Sequence, residues 1–151
     1  MSARYLVVDG HSVIFSWPEL RALHQRNRAA ARKELGLRLQ ALHDSTAWRV
    51  TLVLDGTLGA ASPPPRQPQD MVTVYATADQ TADSIIERLV ASSGAAADVL
   101  VVTADEVERR LIESLGAVGV SPTWLAEEIA QAGAAFQNEL RRVHHSARWP
   151  Q

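Results

Sequence analysis

The sequence predicts an α/β fold, a three-layer α/β/α domain built around a central, mostly parallel sheet. Three observations carry this. Residues 5–8 (YLVV), 50–54 (VTLVL) and 99–103 (VLVVT) are short, continuous apolar runs, the pattern of strands buried on both faces. Between them lie longer segments with apolar residues at three- and four-residue steps, as amphipathic helices require. Alternation of the two kinds implies βαβ units, and so parallel strands covered by helices on both faces. With 151 residues, 46% of them apolar, the chain suits one domain with one core.

In chain order, the first strand ends at Asp9-Gly10. Residues 18–43 read as one helix, with Leu20, Leu23, Ala31, Leu35, Leu39 and Leu42 on its apolar face. Arg21, Arg26, Arg28, Arg32 and Arg38 lie on the opposite face. The second strand ends at Asp55-Gly56. Residues 56–69, with Pro63, Pro64, Pro65 and Pro68, form a long loop, expected to be disordered or a flap beside a site. Residues 71–75 are a weaker strand candidate, followed by a helix over 81–92 that carries Ile85, Ile86, Leu89 and Val90. The third clear strand ends at Ala104-Asp105, and residues 105–115 form a short helix. Residues 117–120 are a second weak strand. The last helix has the clearest start, with Ser121 as N-cap and Pro122 at the first helical position. Its stripe is Leu125, Ile129, Ala132, Phe136, Leu140 and Val143. The domain is placed at residues 1–143, and 144–151 is expected to be a flexible tail.

Composition narrows the function classes. A net charge of -2 argues against a protein that coats duplex nucleic acid by charge alone, so any such surface is local. The absence of cysteine excludes disulfides, thiolate zinc sites and cysteine nucleophiles, and fits a reducing compartment. The N-terminal apolar run is short and broken by Asp9 and Gly10, unlike a signal peptide or a membrane span. A cytoplasmic protein with no membrane partner is expected. Oligomeric state is not readable from the sequence.

Three of the clearest strands end in aspartate. In an open parallel sheet the C-terminal strand ends share one edge, where ligands bind. Asp9, Asp55 and Asp105 should therefore converge, and Asp83, near the start of a helix that follows a strand, should join them. Glu87 lies one turn later on the same face. Carboxylates packed together repel, and some must take up protons unless a cation intervenes. Magnesium favours oxygen ligands and keeps several waters, which suits hydrolysis of phosphodiesters. Each acid alone has a plainer explanation. Aspartate after a strand turns the chain and caps the next helix, Asp55-Gly56 is a common turn pair, and Asp83 could only favour its helix's positive end. For the set, a divalent-cation site is the better reading.

Four segments carry a family resemblance: VVDGHSVIFSWPEL, VTLVLDG, TADSIIERLV and VLVVTADEVE. In this order they resemble the NYN branch of the PIN-like nucleases, most closely the bacterial YacP type, over most of the chain. The resemblance implies a PIN-like α/β/α fold and a Mg2+- or Mn2+-dependent endoribonuclease leaving a 5′-phosphate and a 3′-hydroxyl. Carried over by position, Asp9, Asp83 and Asp105 are the principal catalytic and metal-binding acids, with Asp55 a further ligand. Ser12 stands where the family usually has asparagine, and His11 where it has an aromatic. Ser12 and Thr103 would orient ligands or substrate from behind. Ser12 lacks an amide donor, and His11 would weaken base or sugar stacking or, if charged, contact phosphate.

The expected partner is single-stranded RNA, mRNA in particular, including mRNA on the ribosome. Arg21, Arg28 and Arg32 could guide its backbone, and Trp17 could stack on a base, although a solvated helix face and a core plug explain the same residues. Arg141, Arg142, His144, His145 and Arg148 read first as a helix-end charge preference and second as an RNA contact. The competing class is a catalytically impaired RNA- or ribosome-binding module of the same fold, to which the His11 and Ser12 departures point. A phosphatase ranks last. The first strand lacks an Asp-x-Asp pair, and there is neither a Walker P-loop nor a GxGxxG motif.

Overall fold

The computed structural model describes residues 4–56, 71–77 and 79–146. Five strands form one parallel sheet in the order β3-β2-β1-β4-β5, where β1 is Arg4–Asp9, β2 Trp48–Leu54, β3 Val72–Tyr75, β4 Val99–Val102 and β5 Val118–Val120. The helices are α1 (Gly10–Ser16), α2 (Pro18–Arg26), α3 (Arg28–Ser45), α4 (Ala82–Ser92), α5 (Glu106–Ser114) and α6 (Pro122–Ser146). The expected α/β/α architecture is therefore present, and both weak strand candidates are strands. Residues 57–69 of the proline-rich loop, with Arg66, lie outside the described residues, as does the tail from 147 with Arg148.

Side-chain alternation along the strands divides the core into two layers. Leu6 and Val8 of β1 face a cluster with Leu35, Leu39 and Leu42 of α3, Leu20 of α2 and Leu125 of α6. Val7 faces the other way, with Val53, Val101, Ile85 and Ile86 of α4 and Ile112 of α5. Because alternate residues face opposite layers, both faces of the central strands are buried, which is why their runs are almost entirely apolar. Strand order reverses direction between β1 and β4, the two strands that run on from the centre into opposite halves of the sheet. Their C-terminal ends therefore flank the crevice where open α/β sheets bind ligands.

The helix expected over 18–43 is two helices. Asn27 adopts φ −157° and ψ 100°, ends α2, and caps α3 by accepting a hydrogen bond from Ala30 N at 3.1 Å. The arginines consequently do not share one face. Arg38 is tied between helices, to Glu19 at 3.0 Å and Glu34 at 3.1 Å, with its guanidinium over the Trp17 ring. Trp17 itself is 7% exposed and donates from Nε1 to the Pro122 carbonyl at 3.1 Å, joining the α1–α2 corner to the start of α6. Its expected role in stacking on RNA is corrected: the ring is a core plug and is not available to a base.

At the start of α6, Ser121 Oγ accepts from Trp124 N at 3.0 Å, so Ser121 caps the helix as expected. The apolar stripe of α6 packs only through its first half. Leu125 is buried, and Ile129 and Ala132 are partly buried, but Phe136, Leu140 and Val143 are exposed. Arg141 and Arg142 are exposed too, and Arg142 contacts Glu139 at 3.5 Å. The side chains of His144 and His145 lie outside the described residues. No described helix is long and apolar enough to cross a membrane.

Candidate metal centre

Asp9 is the last residue of β1 and the residue before α1, yet its side chain makes no capping bond to that helix. It is 5% exposed and accepts a hydrogen bond from Ser12 Oγ at 2.8 Å. A glycine at position 10 permits this close turn. A Cβ there would lie 3.0 Å from the Val53 carbonyl oxygen and strike the Leu54 side chain. The start of α1 thus rests directly on β2, and Ser12 is delivered to Asp9 one turn later.

On the other side of the crevice, the end of β4 supplies Thr103, which is buried. Its hydroxyl donates to Glu108 Oε2 at 2.9 Å and accepts from Asp105 N at 3.1 Å. Asp105 caps α5, with Oδ1 accepting from Val107 N at 2.9 Å and Glu108 N at 3.3 Å. Glu108 occupies the position where a capping-box glutamate would reach back to the N-cap amide. Because Thr103 already satisfies that amide, Glu108 turns inward instead and is 3% exposed. Thr103 and Ser12 approach at 3.4 Å. Each has one proton, and these go to Glu108 and Asp9, so the two hydroxyls stand between the acids and orient one each.

The third acid comes from α4. Thr81 caps that helix by accepting from Ser84 N at 3.1 Å. Asp83, in the first turn, is therefore not needed as a cap and faces the crevice. Oxygens of Asp9, Asp83 and Glu108 all lie within 4.8 Å of one another. Oxygens that close could be drawn in to share one divalent cation.

Electrostatics make the same point. Burial pushes the Glu108 carboxyl up to about 9, aided by the negative charge of Asp9 and a proton-sharing contact with Asp83. The Asp9 carboxyl is also raised, first by burial, against the opposing hydrogen bonds of Ser12 and Glu108. Three acids in this space cannot all carry charge without compensation. Apart from these neighbouring carboxylates, which can meet it only by sharing a proton, Glu108 Oε1 is buried with no hydrogen-bond donor among the described residues. An all-oxygen, anionic donor set with an orphaned lone pair fits a hard divalent cation.

Asp9, His11, Ser12, Phe15, Asp55, Asp83 and Asp105 line one open cleft of about 600 Å3 above this triad. All four aspartates expected from the sequence thus border one cleft. They are not equivalent. Asp55 and Asp105 are exposed on its rim, whereas the inner cluster takes Glu108. Glu87, one turn beyond Asp83, does not line the cleft. The larger neighbouring groove, about 770 Å3, is bordered by Arg28, Arg32 and Lys33 and has no carboxylate in its described lining. The acid chemistry therefore belongs to the smaller cleft. Arg32 links the two by donating to the Asp55 carbonyl at 3.0 Å. Arg21 is exposed but lines neither.

Glu108 is the residue that motif reading passed over. Its signal was its place on α5, one turn before Ile112 and on the same buried face. A carboxylate on the apolar stripe of a short helix needs a partner.

Known proteins agree with this architecture. The family model for the YacP-like NYN domain matches residues 6–150. The YacP protein of Bacillus subtilis is 27% identical over 139 residues, spanning 91% of this chain and 82% of its own. The crystal structure of Rae1 (YacP) from Bacillus subtilis superposes with a TM-score of 0.78 at 25% identity, covering 97% of this chain and 83% of that one. A mutant of the same protein gives a TM-score of 0.77 at 25% identity, with 97% and 86% covered.

Proposed function

The chain belongs to the YacP-like NYN family, a nuclease-type domain, and on that premise we propose that it is a divalent-metal-dependent endoribonuclease acting on single-stranded RNA. The observation that carries this reading is the Asp9–Asp83–Glu108 cluster at the switch point of the sheet, in which Asp9 and Glu108 are buried and Asp83 is open to the cleft. Asp9, Asp83 and Glu108 hold the cation, Mg2+ or Mn2+. Ser12 and Thr103 fix the orientation of Asp9 and Glu108 from behind. A bound cation would supply water activation and neutralise charge on the attacked phosphate. Asp105, expected from sequence as a principal ligand, acts from the rim, since one of its oxygens is committed to the α5 amides. Asp55 acts with it in setting the potential around the entering backbone.

An open cleft flanked by Arg28 and Arg32 suits an unpaired strand, whose backbone can approach the acids without the bulk of a duplex. Messenger RNA is the substrate source this reading favours. The test is incubation of labelled single-stranded RNA with the pure protein and Mg2+ or Mn2+, beside Asp9→Asn and Asp83→Asn. The expected result is metal-stimulated internal cleavage leaving 5′-phosphates, lost in both variants. Equal cleavage by all three proteins would remove the site. RNA binding by the wild type, with no cleavage under any metal, would favour the non-catalytic RNA-binding alternative.

A further inference from the structure

One exposed feature of the cleft is not used by the metal chemistry. Phe15 and His11 lie one turn apart on α1 and both line the cleft, with ring centroids 4.4 Å apart and planes inclined by 36°. His24 of α2 makes an edge-to-face contact with Phe15, at 4.9 Å and 64°. The neighbouring residues Val13 and Ile14 of the same short helix are buried, yet Phe15 is 39% exposed. The exposed part of the ring forms part of the cleft wall beside the acids.

We propose that Phe15, braced by His11 and His24, is a stacking step for one unpaired nucleobase of an RNA strand whose phosphate lies at the acid cluster. The inference rests on the nuclease reading of that cluster and extends it to how substrate is held. Three observations support it. The helix that carries the rings also carries Ser12, bound to Asp9, so the step and the acids move as one body. Burial, with the nearby charges of Arg28, Arg32 and His11, lowers the affinity of His24 for a proton, which keeps it an uncharged ring against Phe15. Those two arginines, close enough to act on His24, also border the adjoining groove, where they can take the next phosphates. Base stacking on an aromatic face tolerates any base, but the base must be free of its own partner. His24 is a positioning residue in this scheme, since it touches Phe15 and does not line the cleft.

The experiment uses the full chain in EDTA at low salt, so that nothing is cleaved. A single-stranded oligoribonucleotide carrying 2-aminopurine is titrated with wild type, Phe15→Leu and Phe15→Trp, after circular dichroism and melting have shown that each is folded. Stacking predicts a 2-aminopurine fluorescence change on binding with wild type and Phe15→Trp. Phe15→Leu, which keeps apolar volume without a ring face, should lose that change and bind roughly five- to hundredfold more weakly. Pairing the oligonucleotide with its complement should weaken wild-type binding. Indistinguishable affinity and fluorescence for wild type and Phe15→Leu, equal binding of the duplex, or no response with wild type would each overturn the inference. So would concentration-dependent self-association through Phe15 in place of an RNA response. The nuclease reading fails separately: a protein that binds through Phe15 but never cleaves with metal retains the step and loses the reaction.

Discussion

Glu108→Gln isolates the electrostatic strain of the metal-free site. The amide keeps the size and planarity of the side chain and can still accept from Thr103, but it never ionises. In the wild type, folding moves the Glu108 carboxyl from its ordinary 4.5 up to about 9. Between those values the folded protein holds a proton that the unfolded chain has released. Stability is therefore fully present below pH 4.5 and declines as pH rises toward 9. At pH 7.5, three units above the ordinary value, the loss is about 4 kcal/mol, at about 1.4 kcal/mol per unit. Asp9 and Asp83 share the proton and its charge, so this is an upper bound. In EDTA at pH 7.5, Glu108→Gln should thus be more stable than wild type, by up to roughly 10 °C in melting temperature for a domain of this size. At pH 5 the difference should shrink to less than about 1 kcal/mol. Saturating Mn2+ should reverse the order, because stabilisation by a ligand grows with the logarithm of its affinity and the variant has lost an anionic ligand. Melts across pH 5–9, with and without metal, make the measurement. A gap between the two proteins that does not change with pH would refute the reasoning.

Other perturbations reach different parts of the account. Ser12→Ala removes the hydroxyl that orients Asp9 and should weaken Mn2+ binding roughly tenfold or more by calorimetry, with the fold intact. Gly10→Ala places a methyl group against the Val53 carbonyl and the Leu54 side chain, so denaturant melts should show a loss of at least about 1–3 kcal/mol, with reduced metal affinity as α1 shifts. Trp17→Phe keeps most of the buried ring but strands the Pro122 carbonyl, and should lower stability by about 1–3 kcal/mol without changing metal affinity.

The strands were legible because burial on both faces leaves a plain signature in β1, β2 and β4, and the edge where they end follows from parallel topology alone. What failed was local. Asn27 breaks the first long helix without glycine or proline, through a side-chain cap that competes with continuation, and only the gap in large apolar residues between Leu23 and Ala31 hinted at it. Helix α1 is seven residues long, too short for its periodicity to stand out. The acids were found as a group, but their roles depend on which residue caps which helix. Thr81 releases Asp83, Asp105 is taken up by α5, and Thr103 frees Glu108. Those exchanges are tertiary geometry, and a motif that ends at an aspartate points to the cap as readily as to the ligand behind it.

The central claim is that Asp9, Asp83 and Glu108, from three separate elements, share one divalent cation. A crystal soaked in Mn2+ and measured at an anomalous wavelength tests it most directly. The account predicts a peak bounded by oxygens of those three residues, with Asp105 still capping α5. A cation held by Asp55 and Asp105 with Glu108 turned away, or no peak in the cleft at saturating Mn2+, would contradict it.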